Sequence, residues 1–121
     1  MRIAIPSETD AGLDSTRSGH FGHTPYFTIV TFDDGNNITE TEVVKNVDHD
    51  VAGCGGVIDF VSGLGVDGIL TVGMGMPPFT RFTNAGITVY SDRTEPNVGK
   101  VAKMFAEGNV QPMDPSAACK H

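Results

Sequence analysis

The chain predicts an α/β fold, a mixed five-stranded sheet of order 3-2-1-4-5 with helices packed on it. Three observations carry this. Short apolar, β-branched runs recur along the chain, the first three include a hairpin, and the later ones alternate with stretches of helical apolar spacing. Right-handed crossovers then restrict the strand order.

The first strand is Arg2 to Ile5, with Pro6 expected to stop it because proline cannot donate to a ladder. A long loop, Ser7 to Thr24, follows, of a length that usually signals function or disorder. Tyr26 to Phe32 is aromatic and β-branched. Asp33-Asp34-Gly35-Asn36-Asn37 turns the chain into Ile38 to Lys45, whose polar Thr39, Glu40, Thr41 and Glu42 suit an edge strand. Gly53-Cys54-Gly55-Gly56 opens a helix carrying Val57, Ile58, Val61 and Leu64, closed by Gly63 and Gly65. Gly68 to Val72 is a continuous apolar strand of the doubly buried kind. Gly73-Met74-Gly75-Met76-Pro77-Pro78 leads into a short helix with Phe79 and Phe82, and Asn84-Ala85-Gly86 turns into a strand from Ile87 to Tyr90. The last helix follows Pro96, with Val98, Val101, Ala102 and Phe105 on one stripe and Gly108 at its end. One domain is expected over residues 1–108, with 109–121 an irregular tail containing Pro112 and Pro115.

At 121 residues the chain can bury an adequate core without a structural metal, so a metal here would be cargo or cofactor. A formal net charge of -7, with only eight scattered Lys and Arg, argues against nucleic acid or an anionic membrane as partner. No apolar run reaches the length of a membrane span, and the first residues read as a strand rather than a signal peptide. A cytoplasmic protein is expected, with Cys54 and Cys119 as thiols.

This topology brings the loop after strand one and the turns at Cys54, Met74–Met76 and Ser91-Asp92-Arg93 to one sheet edge, near the switch point between strands one and four. His20, His23, Cys54, Met74 and Met76 could therefore converge. In Ser18-Gly19-His20-Phe21-Gly22-His23 two imidazoles sit close together, with Gly19 and Gly22 expected to turn the backbone through positive φ. Neutral imidazole ligates borderline metals, although a histidine in such a loop is often only a surface residue. Cys54 at a helix start would have its thiolate favoured, or it is simply a small residue in a tight turn. Met74 and Met76 offer thioethers to a soft metal, yet methionine above a core more often fills a gap. Gly73-Met74-Gly75 is no dinucleotide fingerprint, since Pro78 replaces the third glycine, but an anion could rest on its backbone N–H groups. Cys119 and His121 stand within chelating distance on a tail that can span up to ~43 Å. His49, between Asp48 and Asp50, reads as solvated. The first strand has no carboxylate, which a two-metal nuclease on this topology would need.

Ser18-Gly19-His20-Phe21-Gly22, the strand from Tyr26, Gly55-Gly56 at a helix start, Val66-Asp67-Gly68-Ile69 with Gly73-Met74-Gly75, and Ala85-Gly86-Ile87 together resemble one family. It is the dinitrogenase iron-molybdenum cofactor biosynthesis family, the group of NifX and the C-terminal domain of NifB. The resemblance spans roughly residues 1 to 110. It implies a ribonuclease-H-like fold without nuclease activity that binds or carries an iron-sulfur or iron-molybdenum cluster precursor, in contact with cofactor-assembly proteins. By position, His20 would be the first cluster contact, with Gly19, Phe21 and Gly22 shaping its loop and Gly55 and Gly75 in the matching turns. His23, Cys54, Met74, Cys119 and His121 are added from spacing and topology. The expectation is a carrier, not an enzyme. Two alternatives stand beside it: a thiol enzyme with Cys54 as nucleophile and His20 or His23 as base, and an adaptor domain recognised through the edge strand Ile38 to Lys45.

Overall fold

The computed structural model describes residues 1–19, 24–46, 56 and 58–113. Alternation of side chains along each strand decides the layering. In β1 (Arg2–Ser7) Ile3 and Ile5 face one side and Ala4 the other; in β2 (Tyr26–Phe32) Val30 and Phe32 join the first side, Phe27 and Ile29 the second. β4 (Gly68–Thr71) and β5 (Thr88–Ser91) repeat the division, with Leu70 and Tyr90 against Ile69 and Val89. Both faces are therefore apolar, and each takes helices. Helix α1 (helical residues 58–62) and α2 (Met76–Asn84) cover the Ala4 face through Ile58, Val61 and Phe82. Helix α3 (Val98–Ala106) covers the Ile3 face through Val98, Val101 and Ala102, and Asn97 caps it by accepting from the Lys100 N–H.

The sheet order is β3-β2-β1-β4-β5-β6, with β3 spanning Ile38–Lys45. The first five strands stand in the expected order, β1, β4 and β5 running parallel and β2 antiparallel to β1, with the ends of β1, β4 and β5 shifted by one or two residues from those expected. The count of five is corrected to six. Gln111–Pro112 forms β6, antiparallel to β5, in the stretch expected to be irregular. Val110 and Met113, both buried, pin its ends, and the Met113 N–H reaches Val89 O at 2.7 Å.

Pro6 also behaves differently from expectation. It lies inside β1, opposite Phe27, instead of ending the strand. The N and O of one strand residue point the same way, and Pro6 O accepts from the Ser18 N–H at 3.0 Å, so the missing donor faces the loop and not β2. The long loop after β1 has structure of its own: a 3-10 turn at Gly12–Asp14, a bridge from Ser7 to Arg17 and another from Thr16 to Asn97. Gly99 packs so tightly on that turn that a Cβ would stand 2.8 Å from Leu13 O.

Candidate functional site

The carboxyl ends of β1, β4 and β5 form one rim of the sheet, together with the start of β2 and the end of β3. Its polar side chains are engaged in holding loops. Ser7 and Thr28, both fully buried, share a 2.7 Å hydrogen bond between hydroxyls. Thr24 Oγ1 donates to Ser7 O at 2.8 Å, and Ser18 is tied to Pro6 as above. Both ends of the 20–23 stretch are thus fixed at the end of β1.

Asn46, the last described residue after β3, joins the same network. Its N–H donates to Pro25 O at 2.9 Å and its Nδ2 to Thr24 O at 2.8 Å. The chain therefore enters the 47–55 stretch, which contains Cys54, directly beside the point where it leaves the 20–23 stretch, which contains His20 and His23. Asn46 Oδ1 is buried without a hydrogen-bond partner among the described residues.

An ion pair clamps the other side of the loop. Arg17 Nη1 lies 3.1 Å from Asp92 Oδ2, while its guanidinium also donates to Glu95 O and Asp92 O. Burial lowers the Arg17 pKa, against the opposing pull of Asp92 and Glu95, but a guanidinium remains charged. Burial pushes the Asp92 carboxyl upward, yet the N–H groups of Glu95 and Thr94, the Thr94 hydroxyl and Arg17 outweigh it and hold the pKa below its usual value.

The β4–α2 turn completes the rim. Thr71 Oγ1 both donates to Gly73 O and accepts from Gly73 N, which fixes the turn. Gly75 is the N-cap of α2, and Pro77 and Pro78 in the first helical turn bring no N–H, so this helix start offers an anion few donors. Met74 belongs to the rim by its backbone, but the residue is 5% exposed and packs into the α1/α2 core, with Met76 partly buried against the same cluster. Gly19 is exposed with nothing among the described residues within 4 Å of an added Cβ, and its φ lies outside the positive region, so the expected left-handed turn there is corrected. His20, Phe21, Gly22, His23, His49, Cys54, Gly55, Cys119 and His121 lie outside the described residues. Among the described residues no three His, Cys, Asp or Glu side chains come together as a metal site.

Arg17, Thr24 and Asn46 were not singled out in the sequence, and Asp92 was placed at this edge only as part of the Ser91-Asp92-Arg93 turn. The signal for Thr24 was its place beside the histidine loop; Arg17 and Asp92 are 75 residues apart, and their pairing left none. A separate cavity of about 320 Å³ lies at the opposite end of β5, among Phe79, Thr83, Ile87, Val89 and Met113. Among the described residues its lining has no titratable side chain, so the rim is the better place for chemistry.

The sequence pattern of the dinitrogenase iron-molybdenum cofactor family matches residues 1–108. The chain belongs to this family. An uncharacterised protein of Methanocaldococcus jannaschii is 29% identical over 116 residues, covering 92% of this chain and 90% of that one. Among solved structures, the crystal structure of PH0822 superposes with a TM-score of 0.79 at 31% identity, over 93% of this chain and 96% of its own. The apo orange protein of Desulfovibrio gigas has a TM-score of 0.74 at 24% identity over 93% and 96% of the two chains, a likeness of fold alone. A candidate NifB protein from Thermotoga, of the DUF35 family, has a TM-score of 0.67 at 26% identity, over 92% and 91%. Among the described residues of this family member, no helix is long and apolar enough to cross a membrane.

Proposed function

We propose that this member of the iron-molybdenum cofactor family is a non-catalytic carrier that takes an iron-sulfur or iron-molybdenum cluster precursor as cargo and passes it to cofactor-assembly proteins in the cytoplasm. One observation carries the reading: Asn46 Nδ2 bonded to Thr24 O joins the ends of the histidine-bearing and cysteine-bearing stretches at one rim. His20, His23 and Cys54 are the nitrogen and sulfur donors that this arrangement offers to a cluster, types suited to iron. The mixed sheet supports a ribonuclease-H-like reading of the fold, and β1, which carries Arg2-Ile3-Ala4-Ile5-Pro6-Ser7, has no carboxylate with which a nuclease would bridge two metal ions.

Anaerobic reconstitution of the full chain with iron and sulfide tests this. The expected result is a protein-associated charge-transfer band that weakens in His20→Ala and in Cys54→Ala. Equal bands in all three proteins would remove both residues from the role, and a Cys54 thiol titrating well below 8.5 with no band in the wild type would favour a thiol enzyme instead.

A further inference from the structure

A carrier with a formal net charge of -7 that accepts an anionic, sulfide-rich cluster needs a local cation at its rim, because only charges within a Debye length of about 8 Å act strongly on the cargo. Most candidates are already committed or distant. Arg17 is buried in its ion pair with Asp92. Lys45 ends β3, four strands from β5 and therefore ~19 Å along the rim. Backbone donors are scarce too, since Gly73 N is engaged with Thr71 Oγ1 and Pro77 and Pro78 have no N–H.

Arg93 is different. It follows β5, is exposed, and forms no ion pair among the described residues. Its Nε donates to Val72 O at 3.3 Å, the carbonyl that also accepts from Ser91 Oγ at 3.2 Å. This lays the guanidinium against the β4–α2 turn. A Cβ built on Gly73 would stand 3.3 Å from Arg93 Nη2, 3.9 Å from Nε and 4.0 Å from Cζ, so the missing side chain at Gly73 is the space the guanidinium occupies. One nitrogen is tethered, and the remaining N–H groups have no partner among the described residues, which leaves them for solvent or a ligand.

We propose that Arg93, seated on Gly73, is the charge-recognition residue for an anionic, sulfur-rich cargo at this rim. The inference rests on the carrier reading and gives its cargo a sign. Guanidinium suits the task because it is permanently charged, weakly hydrated and presents donors in a fixed plane, so it can meet diffuse charge on sulfide without a large desolvation cost.

Equilibrium dialysis of the full chain against tetrathiomolybdate, without oxygen and at two salt concentrations, is the test. This dianion presents charge and sulfide with no open coordination position, so it reports recognition rather than ligation by histidine or cysteine. Arg93→Gln is expected to weaken binding about tenfold and to flatten its salt dependence, Arg93→Lys to restore part of both. Gly73→Ala, which pushes only on the flexible guanidinium, is expected to fall between wild type and Arg93→Gln. Equal affinity and equal salt dependence in wild type and Arg93→Gln overturn the role of Arg93 while the carrier reading stands. No binding by the wild type, in a protein that still takes up an iron-sulfur cluster, overturns the anionic-recognition proposal alone; failure of both uptakes removes the carrier reading as well.

Discussion

Arg17 and Asp92 meet 3.1 Å apart with their side chains 3% and 10% exposed, and this contact ties the loop leaving β1 to the loop leaving β5. Removing one partner leaves the other charge buried, which costs far more than the intact pair contributes. Arg17→Ala is expected to destabilise the protein by roughly 3 kcal/mol, measured by urea unfolding at neutral pH. The Asp92 pKa is lowered in the folded protein, so its contribution is present above the unfolded value of about 3.9 and is lost as pH falls through the folded value. Asp92→Asn should therefore differ most from wild type at neutral pH, and the gap should narrow below about pH 4. A gap independent of pH would remove the carboxylate from this role.

Two glycines separate packing from function. At Gly68 a Cβ would stand 2.8 Å from Tyr90 Cε2 and 2.9 Å from Thr88 O, where β4 passes its neighbours. Gly68→Ala is expected to cost about 1–3 kcal/mol, as overpacking does. Gly19→Ala meets nothing within 4 Å among the described residues and should leave the melting temperature unchanged. Any loss of cluster uptake in Gly19→Ala then reports on the loop and not on folding; a comparable loss of stability in both variants would contradict the packing described at Gly19.

Met74 offers a third test. Met74 is 5% exposed and packed among core residues, so Met74→Leu should cost less than about 1.5 kcal/mol, while Met74→Ala should cost about 2–5 kcal/mol. Cluster uptake by Met74→Leu is expected to match wild type. A stable Met74→Leu protein that no longer takes up cluster would instead make the thioether a ligand.

Much of the fold was legible because burial on both faces leaves a plain mark: Gly68-Ile69-Leu70-Thr71-Val72 has no charged residue and Thr71 as its one polar position, and Val98, Val101 and Ala102 fall on one helical stripe. The sixth strand was not, because two residues including a proline carry no periodicity; only Val110 and Met113 mark its ends. Pro6 misled because a proline is excluded from a ladder only on the side its nitrogen faces, and that side is set by tertiary structure. The donor types of the candidate site could be read from His20, His23 and Cys54. The means of gathering them could not: Thr24 and Asn46 are ordinary polar residues 22 positions apart until the β2–β3 hairpin brings them together.

The central claim is that the histidine-bearing and cysteine-bearing stretches meet at one rim. Cross-linking reads it directly: His20→Cys in a Cys119→Ser background leaves two thiols, at positions 20 and 54, for a short bis-maleimide. A control, Thr24→Cys with Asn46→Cys in a protein lacking both native cysteines, reports on the pair whose side chain and backbone are hydrogen-bonded at 2.8 Å. The prediction is an intramolecular cross-link in both proteins, in monomer and in comparable yield. A control that cross-links beside a 20/54 pair that does not would contradict it.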